Sequence, residues 1–372
     1  MYKLVVVTNL LPHYQVDFFN RLVEIDNEIE LTVFADISSK SSLNSFKKSE
    51  CNFKVINSPI KEMKGLILRT SLKNSIEIIA PDYIVFYANP REVSLTILMT
   101  YFKFTGRKFY VHGMFHRIGG QTLSSKLYYK YIASIANKCF TYGKRGALVL
   151  SDLGIDNSKI KPIGTAIDEQ IPIKYSSQVT EFNLQEFKRK HDIINKKVIL
   201  QVVRLSKIKN PDLIIEVAKN MIKNRSDLKF VLIGEGEMFR IIQKKIKDLG
   251  LTESILLLGS IYEESVLSYW FKSADVFVMP TCIGLSAHHS FSYSLPIITD
   301  DSLKNQASEH EILTNGLNSI LYKSGDIVSL ENAITKIIDD ESLRKFLAAN
   351  ALKTVTDIYS LNNKCLNYLN SL

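Results

Sequence analysis

The sequence predicts an α/β protein built as two doubly wound, Rossmann-like domains facing each other across a cleft. Three observations carry that expectation. At 372 residues the chain is too long for one comfortable core and fits two α/β domains of ordinary size. Short apolar strand-like runs alternate with longer helical patterns, which implies a parallel sheet covered by helices on both faces. That alternation stops in a polar stretch near residues 167–195 and then restarts.

In the first half, Leu4–Val7 reads as a strand and Gln15–Glu24 as a helix with Val16, Phe19 and Val23 on one side. Leu31–Phe34 is the next strand, Leu66–Ile79 a helix and Tyr83–Tyr87 a strand. Val93–Phe102, the longest nearly apolar run, reads as a buried helix and is too short to cross a bilayer. Lys108–Val111 is a strand, Ser125–Ala136 a helix, and Cys139–Thr141 and Lys159–Ile163 are strands that close this half. Ile167–Asn195 reads as an interdomain linker with a first helix. The expected boundaries are 1–168 for an N-terminal domain, 169–195 for the linker and 196–355 for a C-terminal domain. Residues 356–372 should form a helix returning to the N-terminal domain.

In the second half, Lys197–Val203 is a clear parallel strand, and Pro211, a favoured first helical residue, opens a helix over Asp212–Lys223. Phe230–Ile233, Ile255–Leu258, Val276–Met279 and Ile297–Thr299 follow as strands. Met238–Leu249, Glu263–Ser273 and Ser286–Ser294 are the helices between them.

Composition narrows the function classes. Hydrophobic residues are 46% and charged residues 23%, ordinary for a globular chain. The first residues lack the features of a signal peptide, and the four cysteines, Cys51, Cys139, Cys282 and Cys365, have no metal-ligand or disulfide-framework spacing, so a cytoplasmic location is expected. The formal charge of +9 is concentrated: no acidic residue lies between Glu92 and Asp152, a window rich in Lys, Arg, Tyr and Phe. Nucleic acid, an anionic membrane face or a pyrophosphate-linked acceptor would each suit such a surface, as would a solvated basic face over core aromatics.

Two segments carry candidate chemistry. In Val202–Asp212 a strand ends, a loop presents Arg204 and Lys209, and a helix begins. Arg supplies a planar fork and Lys a point charge for phosphate oxygens at the carboxyl edge of the sheet. In Val276–His289 a strand breaks at Pro280, turns through Gly284 and Leu285 and enters a helix whose free N–H groups could hold a phosphate. Of the adjacent His288 and His289, at least one should point inward.

In this order and spacing the segments resemble the large retaining glycosyltransferase family four, whose fold is the two-domain GT-B type. Arg204 and Lys209 match its Arg-Leu-X3-Lys clamp, and Phe230–Gly236 its strand and Gly-X-Gly loop, with Gly234 and Gly236 beside the nucleotide. Leu258–Ile261 resembles the segment beside the base, Ala274–Pro280 the next signature strand, and Gly316–Leu321 the family hairpin. The family's usual glutamate pair is missing: Thr281 and His289 stand in its place, as in a branch with His for the second glutamate. By resemblance Glu309, with Glu311 second, then supplies the carboxylate for ribose or sugar hydroxyls. In the N-terminal half Asn9–Phe19 resembles a Pro-His-Tyr variant of the first loop, making His13 and Tyr14 acceptor-side candidates, with Arg117 and Lys126 attracting an anionic acceptor. His112 at the end of Phe109–Val111 is the hexose-side candidate.

The resemblance implies transfer of a sugar from a UDP- or GDP-type donor to a glycan or polyprenyl-diphosphate-linked acceptor in bacterial surface polysaccharide synthesis. It implies retention of configuration. With no Asp-X-Asp carboxylate pair in the chain, no metal and no cofactor are expected; the basic, aromatic window suggests peripheral contact with an anionic membrane, and the lack of a nucleic-acid motif argues against nucleic acid as partner. The alternatives are a sugar-nucleotide epimerase on the same fold and a catalytically inactive, glycosyltransferase-like binding protein.

Overall fold

Buried, β-branched runs become parallel strands because both faces of each are covered by helices. The computed structural model describes residues 1–37, 48–69 and 72–372. They divide into two units, Met1–Asp168 with Leu361–Leu372, and Glu169–Ser360.

The first unit contains β1 (Tyr2–Val7), α1 (His13–Ile25), β2 (Ile29–Ala35), β3 (Lys54–Asn57), β4 (Ile60–Met63), β5 (Leu66–Arg69), α2 (Leu72–Ile79), β6 (Tyr83–Tyr87) and α3 (Val93–Phe104). It continues through β7 (Tyr110–Gly113), α4 (Leu123–Ile135), β8 (Lys138–Thr141), α5 (Lys144–Asp152) and β9 (Ile160–Pro162). Among the described residues these strands form a seven-stranded sheet in the order β3-β2-β1-β6-β7-β8-β9, parallel throughout, with β4 and β5 apart as an antiparallel hairpin.

That hairpin corrects the expected helix over Leu66–Ile79. Lys64 and Gly65 both take positive φ, 48° and 81°, the pattern of a tight two-residue hairpin turn. The apolar run Leu66–Leu68 therefore pairs back on Ile60–Met63, and helix begins only at Leu72. Residues 70 and 71 of that expectation lie outside the described residues.

The second unit contains α6 (Gln170–Gln178), α7 (Glu181–Lys190), β10 (Lys197–Val202), α8 (Pro211–Met221), β11 (Leu228–Ile233), α9 (Phe239–Asp248), β12 (Ile255–Leu257), α10 (Glu264–Ser273), β13 (Val276–Val278) and α11 (Ser286–Ser292). After it come β14 (Ile297–Asp300), β15 (Ser319–Tyr322), α12 (Ile327–Asp339) and α13 (Glu341–Lys353). The strand order β12-β11-β10-β13-β14-β15, all parallel, is that of a Rossmann sheet. The polar stretch 167–195 holds two helices rather than one. Thr180 caps α7 by accepting from the Asn183 amide, and Phe187 of α7 stacks on Tyr269 and meets Trp270 edge-on at 4.8 Å.

The last helix, α14 (Leu361–Leu369), belongs to the first unit. Tyr368 packs edge-on against Phe18 of α1, Tyr110 Oη donates to the Leu372 carbonyl, and Lys138 Nζ donates to the Ser371 carbonyl at 2.8 Å.

In the first unit the sheet order reverses between β1 and β6, and that crevice is filled by protein. Arg69, fully buried, donates Nε to Glu92 at 2.9 Å, Nη1 to the Ser58 carbonyl and Nη2 to the Thr8 carbonyl. Burial pushes the Glu92 carboxyl up, and Arg69 pulls it back. Removing one partner of such a pair strands a buried charge, so Arg69→Ala should cost about 3–5 kcal/mol of stability by urea denaturation. The double change Arg69→Met with Glu92→Leu should recover most of it. A loss below about 1 kcal/mol in the single variant would contradict this account.

Candidate functional site in the second unit

In the second unit the order reverses between β10 and β13, so a crevice opens outside the carboxyl ends of those two strands. Their following loops are tied by one side chain. Lys209 Nζ donates to the Cys282 carbonyl, lies 3.7 Å from Cys282 Sγ, and would sit 3.8 Å from a Cβ placed on Gly284. Cys282 takes φ 53°, which turns its carbonyl loop back toward the lysine. Burial pushes the Cys282 thiol up, Lys209 opposes that, and the Glu309 and Asp300 carboxylates add to it. Glu309 is therefore within electrostatic reach of the same loop, from the half-buried 3₁₀ turn Ser308–Ile312. The buried Gln306 locks the turn in place: its Oε1 accepts from the Ile283 amide at 2.7 Å, and its Nε2 donates to Thr299 Oγ1 and to Asp300.

The loop after β11 presses on the loop after β10. Leu205 N donates to the Glu235 carbonyl and Met238 N to the Leu205 carbonyl, while Gly234 N reaches the Gly259 carbonyl at 2.7 Å. A Cβ on Gly234 would come within 1.9 Å of the Val203 carbonyl oxygen, and one on Gly236 within 2.4 Å of that of Leu205. Both glycines hold φ near +140° to +150°, a region closed to other residues. Gly234 and Gly236 thus clamp the two neighbours of Arg204. Arg204 itself is exposed and, among the described residues, has neither an ion pair nor a hydrogen bond. Ile261 is half-buried against the apolar cluster that includes Val231 and Phe271.

Other expected residues are placed differently. Leu285 is the N-cap of α11, a helix of only seven residues with no side-chain cap. His289, expected at the donor, binds Glu264 of α10 through Nε2 at 2.7 Å and packs edge-on against Phe271. Tyr293 donates to the same Glu264 oxygen at 2.5 Å. Burial raises the Glu264 carboxyl, but these two partners hold it below the usual carboxylate range. His288 is the buried member of the pair. Thr281 Oγ1 is buried without a hydrogen-bond partner among the described residues. The backbone carbonyl of Glu311 accepts from Tyr359 Oη at 3.5 Å.

In the first unit, His13 opens α1, exposed, with its ring edge-on to Tyr14 at 5.8 Å. Arg117 is exposed and donates to Thr122 Oγ1, and Lys126 is exposed on α4. His112 is fully buried at the end of β7 among Tyr87, Phe140, Tyr142 and Tyr368, and burial, aided by Lys364, pushes its ring down to about 3. The sequence reading passed over His116. Its Nδ1 lies 3.0 Å from the Met114 carbonyl; that contact requires the proton on Nδ1 and leaves the buried Nε2 as a bare acceptor. Burial, with Arg145 beside it, pushes this ring down to about 4. A second histidine four residues after His112, in a window without acids, was the available signal.

Residues 184–354 match the family of glycosyl transferases group 1. That stretch contains the whole of the site just described. Among curated relatives, 2-deoxystreptamine N-acetyl-D-glucosaminyltransferase of Niallia circulans is 26% identical over 189 residues, 49% of this chain and 46% of the relative. An α-1,4-N-acetyl-D-galactosaminyltransferase of Campylobacter jejuni, whose name specifies a diNAcBac-PP-undecaprenol-linked glycan, is 24% identical over 170 residues, 43% of this chain and 44% of the relative. The chain thus spans less than half the length of either. Over its full length it superposes on Anabaena HepE crystallised with UDP-glucose, with a TM-score of 0.75, 15% identity and 100% of both chains covered. The fold is therefore GT-B.

Two measurements probe this geometry. Gly234→Ala should lower stability by about 1–3 kcal/mol, read as a drop in melting temperature, because its Cβ meets a main-chain oxygen that cannot move aside. An unchanged melting temperature would refute the close approach. The second concerns pH. His112 and His116 stay neutral in the folded chain, whereas unfolded rings titrate near about 6.5. The unfolded state therefore binds more protons below that value. Stability is full above about pH 6.5 and falls as pH drops toward 4, by up to about 1.4 kcal/mol per unit per ring. Asp17, which burial pushes up to about 6, acts with the opposite sign. The test is thus the difference in urea stability between pH 7.5 and 5.5 for the parent and for His112→Gln/His116→Gln, which should show the shallower loss. Equal slopes would count against it.

Proposed function

We propose that the chain is a glycosyltransferase that moves a sugar from a nucleoside diphosphate sugar to a glycan or lipid-linked glycan in bacterial surface polysaccharide synthesis. The observation that carries this is Lys209 tied across the switch point to the Cys282 carbonyl, with Gly284 facing it and the exposed Arg204 clamped on both sides by Gly234 and Gly236. The loops so joined leave main chain and two cations, with no bulky side chain at the glycines, where a diphosphate would lie. UDP is the favoured nucleotide, since the solved neighbour carries UDP-glucose.

As the glycosidic bond breaks, negative charge grows on the departing diphosphate. Arg204 offers it a bidentate fork from a backbone held between Gly234 and Gly236, and Lys209 a point charge already held at the Cys282 carbonyl. These cations do the work that a metal performs elsewhere. Glu309, anchored on its 3₁₀ turn beside the Cys282 loop, accepts hydrogen bonds from sugar or ribose hydroxyls. His289 is not needed there, because Glu264 holds it. On the first unit, His112 stands at the hexose-side position by family resemblance; its neutral ring is enclosed by Tyr87, Phe140, Tyr142 and Tyr368, with neither nitrogen exposed. His13, Tyr14 and Arg117 serve the acceptor. The reaction retains configuration by family resemblance, and the acceptor is met at the inner membrane face.

Thermal denaturation with and without UDP and UDP-glucose, followed by transfer to a lipid-linked glycan, tests the proposal. The parent should gain melting temperature with either ligand. Arg204→Ala should fold normally, lose most of that gain and lose transfer by about 10²–10³-fold. Full activity in that variant would sink the assignment. Epimerised UDP-sugar formed without any acceptor would replace transfer by epimerisation.

A further inference from the structure

The acid-free window between Glu92 and Asp152 does not fold into a fully covered core. The apolar helix α3 buries Leu95, Leu98, Met99 and Phe102, yet leaves Ile97 64% and Phe104 86% exposed, with Tyr101 between them. On α4, Leu123 is 74% and Leu127 60% exposed, with Tyr131 one turn further. Both triplets recur at helical spacing, so each helix carries a continuous apolar stripe on its outward side. The stripes adjoin: Thr100 of α3 and Tyr131 of α4 share a hydrogen bond of 2.7 Å. Beside Ile97 and Tyr101 an apolar cavity of about 340 Å³ opens toward Leu72 and Lys73 of α2.

The charges on α3 and α4 themselves are of one sign. Lys103, Lys126 and Lys130 are exposed, and among the described residues none pairs with a carboxylate. The carboxylate on the neighbouring helix, Glu77, faces Lys73 at 3.9 Å, and Lys73 itself lies over the Tyr101 ring. A protein partner's surface would have to supply both a flat apolar area and a dense acidic rim. An anionic bilayer supplies both at once: headgroups for the lysines and acyl chains for the stripes. Long lysine stems suit this, since they lie along apolar surface while the ammonium stays at headgroup level.

We infer that the α3–α4 face is a membrane-docking surface that seats on anionic lipid, with Ile97, Phe104, Leu123 and Leu127 entering the interface and Lys103, Lys126 and Lys130 contacting phosphate headgroups. The inference specifies the surface behind the membrane placement proposed above and does not depend on the donor chemistry. It is tested with the full chain and vesicles of phosphatidylcholine alone or mixed equally with phosphatidylglycerol. The parent should sediment with the anionic vesicles, release as salt rises, and bind neutral vesicles about tenfold more weakly or less. Phe104→Glu/Leu127→Glu and, separately, Lys126→Glu/Lys130→Glu should each lower anionic partitioning by about tenfold or more. These sites are exposed, so both variants should keep the parent's melting temperature and its UDP-dependent shift, which separates failure of docking from failure of the donor site. A Phe104→Trp variant adds a second readout: its emission should move to the blue on anionic vesicles, against the constant signal of the single, buried Trp270. Equal recovery on neutral and anionic vesicles would overturn the inference, as would undiminished binding by both double variants. So would lipid-free self-association in sedimentation velocity that the Phe104→Glu/Leu127→Glu change abolishes, which would make the occupant a second copy of the chain.

Discussion

The tie from Lys209 Nζ to the Cys282 carbonyl organises the second unit's site. It spans the one place in the sheet where successive strands part in opposite directions, and it joins the loop of β10 to that of β13. Without it the two loops would be independent surface segments. With it, Lys209, Gly284 and the Glu309 turn share one edge, and Gln306 holds that edge to the end of β14. A single cation held by a main-chain oxygen is still free to use its remaining donors on a ligand, because an ammonium carries three.

The two units show what a Rossmann switch point becomes when it is, or is not, kept for a ligand. In the first, Arg69 reaches in from the β4–β5 hairpin, pairs with Glu92 and donates to the Ser58 and Thr8 carbonyls, so a side chain fills the crevice. In the second, among the described residues, no buried ion pair fills the switch point: Lys209 and Gly284 face each other across it, and on the neighbouring β11 loop Gly234 and Gly236 let backbone approach backbone beside the exposed Arg204. The difference is one of occupancy rather than of topology.

Polar groups buried without partners mark the rest of the first unit's interior edge. His112, among four aromatic rings, and His116, tethered through Nδ1, are both kept neutral by desolvation. Keeping a ring neutral preserves an acceptor nitrogen at physiological pH, and it makes folding sensitive to acid. Stability and pH are coupled there through the same two side chains.

Much of this was legible in the linear chain. The central strands of both sheets, Pro211 at the head of α8, and the spacing of Arg204 to Lys209 follow from apolar periodicity and from motif order, which are local properties, whereas the edge strands β3 and β15 are too short to announce themselves. The glycines at 234 and 236 were visible as a loop signature, although the carbonyls they admit were not. Other features needed the folded chain. Leu66–Leu68 reads as helix until Lys64 and Gly65 turn it back as a hairpin, because a short apolar run has no period of its own. Val93–Phe102 reads as buried, and only the packing of α3 beside α4 shows that its outer stripe is left open. His289 aligns with a ligand-binding glutamate, yet Glu264, 25 residues earlier, claims its ring. The sequence by itself determined the alternation of strands and helices in both halves and which loops carry cations. Tertiary structure alone decided which polar groups satisfy one another and which remain for a ligand, because hydrogen-bond partners are chosen by distance in space and not by separation along the chain.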